Sequence, residues 1–240
     1  TGFLRGGVGA GYRVPNLKER YFTFDHSQLG YVVQGTPGLQ PEESISYQFG
    51  GGLSWNRSAW LEANAFFNDI EQLIQTSPDT EATQARNDGV QVFSYENRAE
   101  AKTGGFETTA GWEPSEHWRL TAGYTLTRTE DLATGNDLNR RPRHQARLGL
   151  DGPLGINGLS WSARLKYQSE EFVDAAAGTE SPGYTTADLK LNYQISNQFR
   201  LFAGADNITD EQRDFSNASE DFRPVAGRFL YAGLTVSFGE

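Results

Sequence analysis

The sequence predicts an all-β fold, an antiparallel up-and-down β-barrel that spans a membrane. Three observations support this prediction. Apolar residues alternate with small or polar ones in many segments, short turns and long polar loops separate these segments in strict alternation, and several segments carry charges near their middle. A period of two is typical of strands, because successive side chains point to opposite faces of a sheet. Transmembrane β-barrels combine an apolar outer row, a polar inner row, short turns at one rim and long loops at the other.

The alternation is clearest on the two sides of a short turn at residues 56–58. Apolar side chains occupy nearly every second position there, at Ile45, Tyr47, Phe49, Leu53, Trp55, Ala59, Leu61, Ala63, Ala65 and Phe67. Comparable segments lie at residues 90–112, 118–126, 146–150, 159–167, 189–195, 199–205 and 230–238. With residues 3–12 as a first, glycine-rich strand, the pattern predicts about ten strands, each joined to its neighbour in sequence.

Charged residues within the strands indicate what lies on each side of the sheet. Arg164, Lys166 and Lys190 stand in the middle of predicted strands. They would be costly in the dry core of a sandwich, but they fit the water-lined interior of a barrel. The alternative fold is a soluble antiparallel sandwich with solvated outer faces.

The composition excludes several other classes of protein. The chain has 31 Asp and Glu residues against 21 Lys and Arg residues, a formal net charge of −10, which argues against a nucleic-acid-binding surface. It has no cysteine, so disulfides and thiolate metal sites are excluded. No run of about 18 apolar residues occurs, so no transmembrane helix is predicted.

The tryptophans of the sequence indicate where one boundary of the membrane lies. All the tryptophans lie near short turns, where we expect an aromatic girdle at the periplasmic boundary: Trp55, Trp60, Trp112, Trp118 and Trp161.

The longest loop, residues 11–44, is rich in large apolar and aromatic residues. Disordered segments lack such residues, and loops of this length are otherwise usually functional. We therefore predict an ordered, functional loop.

Six short motifs, in order along the whole chain, resemble the C-terminal part of TonB-dependent outer-membrane receptors. The first two motifs are Tyr12-Arg13-Val14-Pro15, which resembles the family's FRAP box, and residues 36–42 (TPGLQPE), which resemble its NPNL-PE box. The next two are Tyr95-Glu96-Asn97 with Gly105-Phe106-Glu107, which resemble the YxN and GxE strand, and Pro142-Arg143-His144, which resembles the PxH strand entry. The last two are residues 206–210 (DNITD), which resemble xNLfD, and Gly227-Arg228 with residues 234–238 (LTVSF), which resemble the closing strand. The chain departs from the family pattern at Tyr12, Val14, Thr36 and Gly38, and in the two residues that follow the terminal aromatic.

The resemblance implies that the chain is part of a larger barrel. The family's barrel has about 22 strands around a plug, so we interpret residues 1–240 as its C-terminal barrel portion, with the signal peptide, plug, TonB box and first strands absent. An arc of ten strands alone would leave two unpaired edges, which hydrocarbon does not tolerate. The alternative is that about ten strands close into a narrow barrel of their own, as a porin or a rim-site protease.

The resemblance also implies a location and a function. The location is the outer membrane of a Gram-negative bacterium, and the function is TonB-energised uptake of an iron complex, either haem or a ferric siderophore, or of a cobalamin. Haem or a siderophore would be a transported ligand, and no intrinsic cofactor is expected. The expected partners are the TonB system through the missing region, the iron complex, and outer-membrane lipid and lipopolysaccharide, with no nucleic acid. Acidic loop residues suit divalent-cation bridging to lipopolysaccharide, and they are Asp79, Glu81, Asp88, Asp131, Asp137, Glu170, Glu171, Glu180, Glu211, Asp214, Glu220 and Asp221.

The candidate ligand-binding residues lie in the longest loop and at its base. Haem receptors of the family place a haem-ligating histidine between the two boxes, and His26 is the one histidine there. Imidazole offers haem iron a neutral nitrogen donor, and Tyr21 and Tyr31 are candidates to stack on or ligate the porphyrin. Arg13 is a candidate to bind ligand carboxylates bidentately. The alternatives are that His26 packs beside Phe24 with a hydrogen bond to backbone, and that Arg13 pairs with neighbouring acids.

An enzyme is not predicted. No GxSxG, HExxH or P-loop pattern is present in the sequence. Asp25 and His26 form the one loop pair that resembles an acid–base dyad, but adjacent residues in an extended segment point to opposite sides. The other two histidines, His117 at a periplasmic turn and His144 at a strand entry, are not candidates for an extracellular ligand site.

Overall fold

Ten antiparallel strands form one continuous sheet, the wall of the molecule, in a computed structural model that describes residues 1–56, 58–213 and 225–238. The wall strands are β1 (Gly2–Arg13), β4 (Glu42–Trp55), β5 (Ala59–Pro78), β6 (Gln91–Ser115), β7 (Trp118–Asp131), β8 (His144–Pro153), β9 (Leu159–Gln168), β12 (Tyr184–Gln194), β13 (Phe199–Asp206) and β14 (Phe229–Val236). Each wall strand pairs with the next along the chain, and within the described ranges β1 and β14 do not pair with each other. The predicted all-β, up-and-down fold is confirmed, and its open sheet is that of a partial barrel.

The long loops contain the remaining elements. Four short strands lie there, β2 (Thr23–His26), β3 (Tyr31–Gln34), β10 (Glu171–Asp174) and β11 (Thr179–Ser181), together with two short helices, α1 (Leu17–Tyr21) and α2 (Thr80–Arg86). Neither helix has the length and apolar sequence that crossing a bilayer would require. Because paired strands run antiparallel, all the long loops lie at one end of the wall, the loop rim, and all the short connections lie at the other, the turn rim.

The strand register assigns the wall residues to two faces, since residues directly opposite each other point to the same side of a sheet. Leu53 lies opposite Leu61, and Leu61 lies opposite Ala110, so this side is an apolar outer face. Lys166 lies opposite Arg147 on the other side. The mid-strand charges therefore share a polar inner face, as the prediction of a water-lined interior requires.

Two rows of aromatic side chains mark the outer face. Near the turn rim, Trp118 and Trp161 meet edge to face with ring centroids 6.2 Å apart. Nearer the loop rim, the ring of Tyr124 lies 5.6 Å from that of Phe106 and 6.1 Å from that of His144. Aromatic girdles flank the apolar band of membrane barrels at both interfaces, so the membrane-spanning part of the wall lies between these two rows.

Trp60 departs from the predicted girdle. It lies opposite Ser54 and Gly111, which places it on the inner face, and its indole lies so close to Gly111 that a Cβ atom there would clash with the ring. The other four tryptophans lie on the outer face. Trp60, Glu62 and Asn64 occupy every second position of β5 and therefore point to the same face. This spacing is visible in the sequence and is the signal that identifies the face of Trp60.

The longest loop is ordered, as predicted. Strands β2 and β3 form a hairpin around a short 3-10 turn that ends at Gly30, whose φ of 88° is in the left-handed region that favours glycine. Strand β3 then pairs in parallel with the beginning of β6, where Val32 lies opposite Val92. Both valines are fully buried, with 1% and 0% of their surface exposed. This small core attaches the hairpin to the wall above the outer aromatic row.

Several sequence-based predictions fall on residues that the structure does not describe. These are the turn residue Arg57, the acidic loop residues Asp214, Glu220 and Asp221, and the chain end at residues 239–240.

Candidate ligand-binding site

The base of the longest loop is held by an ionic clamp of Arg13, Glu19 and Glu42. Arg13 is the last residue of β1 and Glu42 the first of β4, and the two lie directly opposite each other. The guanidinium donates to both oxygens of Glu42, from Nε at 2.6 Å and from Nη2 at 2.7 Å, in the bidentate geometry that arginine and carboxylates favour. Its third nitrogen, Nη1, donates to Glu19 of α1 at 2.8 Å.

The clamp joins two of the motifs found in the sequence. Arg13 belongs to the motif at residues 12–15 and Glu42 closes the motif at residues 36–42. Glu42 also accepts the backbone N–H of Ile74 at 2.7 Å, so the carboxylate ties the loop base to β5 as well as to β1. The guanidinium of Arg13 is thus already engaged by two carboxylates. Its direct contact with a ligand stays a prediction.

Helix α1 fits between the two ends of the loop. The Asn16 side chain accepts the backbone N–H of Glu19, and the Glu19 carboxylate accepts the N–H of Asn16, which is a complete capping box. Arg20 donates to the carbonyl of Pro37 from Nη2 at 2.6 Å. The guanidinium of Arg20 also lies 5.4 Å from the ring centre of Tyr21. Tyr21 remains 60% exposed beside this cation.

Asn97 ties the end of the same loop to the wall. Its Oδ1 accepts the N–H of Gln40 at 2.8 Å, while its Nδ2 donates to the carbonyls of Gln40 and Gln72 at 2.9 and 2.7 Å. Gln72 has a φ of 58° and interrupts the hydrogen-bonded ladder between β5 and β6. The Asn97 side chain therefore supplies a hydrogen bond to the Gln72 carbonyl at this interruption. This explains, in physical terms, the asparagine of the motif at residues 95–97.

The hairpin of β2 and β3 presents an aromatic face made of Phe22, Phe24, His26 and Tyr31. The rings of Phe22 and Phe24 lie 5.2 Å apart, those of Phe24 and His26 6.3 Å apart, and those of His26 and Tyr31 5.1 Å apart. Lys18 places its ammonium 4.7 Å from the ring centre of Phe24. The aromatic face therefore has a cation at its base, held against the ring of Phe24 by a cation–π contact.

The structure brings together two of the four predicted ligand-binding residues. Nδ1 of His26 lies 2.7 Å from the hydroxyl of Tyr31, whereas Tyr21 and Arg13 are engaged at the loop base. Asp25 turns away from His26 and accepts the N–H of Ser27 at 2.9 Å. Hydrogen bonds from Ser27 hold the pKa of Asp25 below its usual range. Asp25 and His26 therefore form no acid–base dyad. Within the described ranges, no group of three or more acidic or imidazole side chains is arranged to hold a metal ion.

A second anchor at the loop rim was missed by the sequence analysis. Arg213, in the loop after β13, donates from Nη2 to Oε1 of Glu171 at 3.0 Å, and the two side chains are only 3% and 1% exposed. The guanidinium also lies 4.9 Å from the ring centre of Tyr184. Glu171 was identified in the sequence only as an acidic loop residue, because nothing local to it indicates a partner 42 positions away.

Asn207 explains the motif at residues 206–210. Its side-chain amide donates to the carbonyls of Glu211 and Ala226, each at 2.8 Å, and its Oδ1 accepts the N–H of Glu211 at 2.9 Å. The residue adopts a left-handed φ of 47° and is 4% exposed. It therefore holds together the two ends of the last loop where that loop leaves β13 and returns to β14.

Comparisons with known proteins agree with this geometry. A sequence profile described as TonB dependent receptor-like, beta-barrel matches residues 2–208. An iron-regulated outer membrane virulence protein of Vibrio cholerae is 28% identical over 98% of this chain and 37% of its own length. A ferric enterobactin receptor of Pseudomonas aeruginosa is 24% identical over 98% of this chain and 36% of its own length. The chain thus spans little more than a third of the length of these relatives.

Solved structures agree in fold. The copper transporter OprC superposes with a TM-score of 0.77 at 18% identity, covering 99% of this chain and 37% of that one. The siderophore receptor PirA of Acinetobacter baumannii superposes with a TM-score of 0.73 at 22% identity, covering 99% of this chain and 39% of that one. At these identities the likeness establishes the architecture of the wall and not the ligand.

Proposed function

The chain belongs to the family of TonB-dependent receptor β-barrels, a family of the Gram-negative outer membrane, and from this premise we propose that the complete protein imports an iron complex with energy supplied through TonB. Residues 1–240 provide the C-terminal part of the barrel wall and its extracellular loops. The plug, the first strands and the contact with TonB belong to the rest of the protein. The observation that carries the proposal is the polar inner face of a wall whose long loops all lie at one rim.

The ligand we propose first is a ferric siderophore. Relatives of this chain are described as a ferric enterobactin receptor and as siderophore receptors, and those descriptions support the same class of ligand here. The aromatic face with Lys18 at its base fits an anionic complex with aromatic groups, because rings stack on rings and the ammonium attracts the negative charge. Lipopolysaccharide is a further proposed partner, through the acidic side chains of the loops.

Haem is the second candidate, and the His26–Tyr31 pair favours it. A ligating histidine usually donates its other ring N–H to an oriented partner, which fixes the tautomer and the ring plane. If Nδ1 carries the proton and donates to the Tyr31 hydroxyl, the lone pair of Nε2 is available to iron. His26 is exposed on the hairpin, so a porphyrin can reach it. The other axial ligand would come from the rest of the protein.

The uptake proposal is tested with the complete protein in a Gram-negative strain that lacks its own iron-complex receptors. We expect the protein to support accumulation of radioactive iron supplied as ferric enterobactin or as hemin, and we expect deletion of the tonB gene to abolish it. Accumulation that continues without TonB would assign the protein to the passive porins instead. A protein that supports uptake of neither probe would contradict the proposed class of ligand.

Haem ligation by His26 predicts a specific spectroscopic result. Hemin added to the purified complete protein should shift its Soret band, and His26→Ala should remove the shift. Tyr31→Phe should weaken hemin binding by about 10-fold, because partners that orient a ligand typically contribute 10- to 100-fold. His117→Ala, at the turn rim, is the matched control and should leave the spectrum unchanged. An unaltered Soret shift in His26→Ala would remove His26 as the axial ligand.

A further inference from the structure

The inner face of β8 and β9 carries two cations directly opposite each other. Arg147 and Lys166 are paired residues in the antiparallel ladder, and both point away from the apolar outer face. Like charges placed opposite each other destabilise a sheet. The positive charge of Lys166 is compensated by Asp188, whose Oδ2 lies 2.9 Å from Nζ of Lys166. Arg147 makes no hydrogen bond or ion pair with any other described residue, so no direct contact offsets its charge within this part of the protein.

Space and hydrogen-bonding groups surround this pair. On the far side of Arg147 the opposing residue of β7 is Gly123, which leaves room beside the guanidinium. One step nearer the loop rim, Gln145 and Gln168 lie opposite each other, with Nε2 of one 3.4 Å from Oε1 of the other. Together these side chains line a cavity of about 530 Å³ that is open to the barrel interior.

The carboxylates of this cavity lie on its other side. Asp188 and Asp206 both line it, but Asp188 is already engaged by Lys166 and by the backbone N–H of Asn207 at 2.9 Å. The cavity is therefore polarised, with its cations on β8 and β9 and its acids on β12 and β13. An anion entering it is attracted to the side where Arg147 stands.

Arg147 also lies on the route from the extracellular side. It is the fourth residue of β8 counted from the loop rim, on the inner face and just below the level of the outer aromatic row. Charged residues at membrane depth that face a water-filled interior commonly mark the path of a substrate. In barrels, substitutions of such inner-face residues tune selectivity.

We propose that Arg147, with Lys166 beside it, forms a subsite in the barrel interior for an oxygen anion of the transported iron complex. A guanidinium binds two coplanar oxygens, so the ligand group is a carboxylate or a catecholate. The subsite rests on the proposed function, since it acts on a ligand that has passed the loop rim. It adds a specificity determinant on the wall, away from the hairpin of β2 and β3.

The test uses the purified complete protein, with ferric enterobactin and hemin as probes, because the first carries catecholates and the second carboxylates. We expect Arg147→Gln to raise the Kd of the bound probe by about 10-fold, the usual effect of losing charge-assisted hydrogen bonds. Arg147→Lys, which keeps the positive charge, should raise the Kd by a smaller factor. Binding to the wild type should weaken as salt is raised, and this dependence should be flatter in Arg147→Gln.

The controls separate the subsite from folding and from the proposed function. Arg119→Gln is the matched control, because Arg119 also faces the interior but lies at the turn rim with Glu113 at 2.7 Å; its Kd should not change. If the wild type binds a probe and Arg147→Gln binds it equally well, the subsite alone is overturned. A loss of thermal stability without a change in Kd would also overturn it, by assigning Arg147 to a carboxylate of the protein. If the wild type binds neither probe, the proposed function fails, and the subsite fails with it.

Discussion

Replacing Arg213 by methionine should release the β10–β11 hairpin from the loop that follows β13. The substitution leaves the Glu171 carboxylate in a site that is 1% exposed but without its guanidinium partner. Removing one member of a buried ion pair typically costs about 3–5 kcal/mol, because the remaining charge is still desolvated. We expect this cost to appear as local opening, measured by faster hydrogen exchange of the amides of residues 171–181 in the complete protein.

A second substitution distinguishes a buried charge from a lost contact. Replacing both members of a buried pair with uncharged side chains is often nearly neutral, so Glu171→Gln combined with Arg213→Met should recover most of the protection. The exposed pair of Arg119 and Glu113 gives the comparison, with side chains 63% and 42% exposed, and Arg119→Met should change local stability by less than about 1 kcal/mol. Equal exchange in Arg213→Met and Arg119→Met would show that the buried pair does not hold the hairpin.

The wall was predictable because its information is local. Alternation assigns a strand and its two faces within a few residues, as at Ile45, Tyr47 and Phe49, and the lengths of the connections assign the two rims. Even the misplaced Trp60 carried the correct signal, since its neighbours at every second position are polar. The distance of a residue from a turn indicates its depth in the membrane, whereas its place in the alternation indicates which face of the sheet it occupies. The prediction of the tryptophan girdle used only the distance from the turns.

The loop rim was less predictable because its contacts are long-range. Arg13 was identified as a ligand-binding candidate from its position near a loop base, yet its main partner lies 29 residues away in another motif. The parallel pairing of β3 with β6 and the burial of Glu171 against Arg213 depend on how two loops fold over each other. No periodic pattern in either loop records that arrangement. The His26–Tyr31 contact is an intermediate case, since a tight hairpin brings residues five positions apart together.

Replacing Glu42 by glutamine should loosen the whole of the longest loop. An amide retains one acceptor oxygen but cannot take the bidentate, charge-assisted bonds of Arg13, and Glu42 is the residue that joins β1, β4 and β5. Because Arg13 is 44% exposed, we discount the full strength of a charged hydrogen bond and expect a loss of about 2 kcal/mol in the free energy of loop opening. That corresponds to a roughly 30-fold larger open population, measured by hydrogen exchange of the amides of residues 31–34.

Glu43 provides a matched control one position along the same strand. It lies opposite Glu71 on the outer face, where like charges repel, so Glu43→Gln should leave the loop closed or make it slightly more stable. Equal exchange rates in Glu42→Gln and Glu43→Gln would show that the clamp does not hold the loop.

The comparison with Arg13→Gln then separates the two roles considered for Arg13. If the clamp acts by holding the loop, Glu42→Gln and Arg13→Gln should weaken binding of the proposed iron-complex ligand to a similar extent, because each breaks the same bidentate pair. If Arg13 instead binds the ligand directly, Glu42→Gln frees a guanidinium for that contact and should preserve or strengthen binding, while Arg13→Gln weakens it. The geometry favours the first result, since both forks of the guanidinium are already occupied by carboxylates.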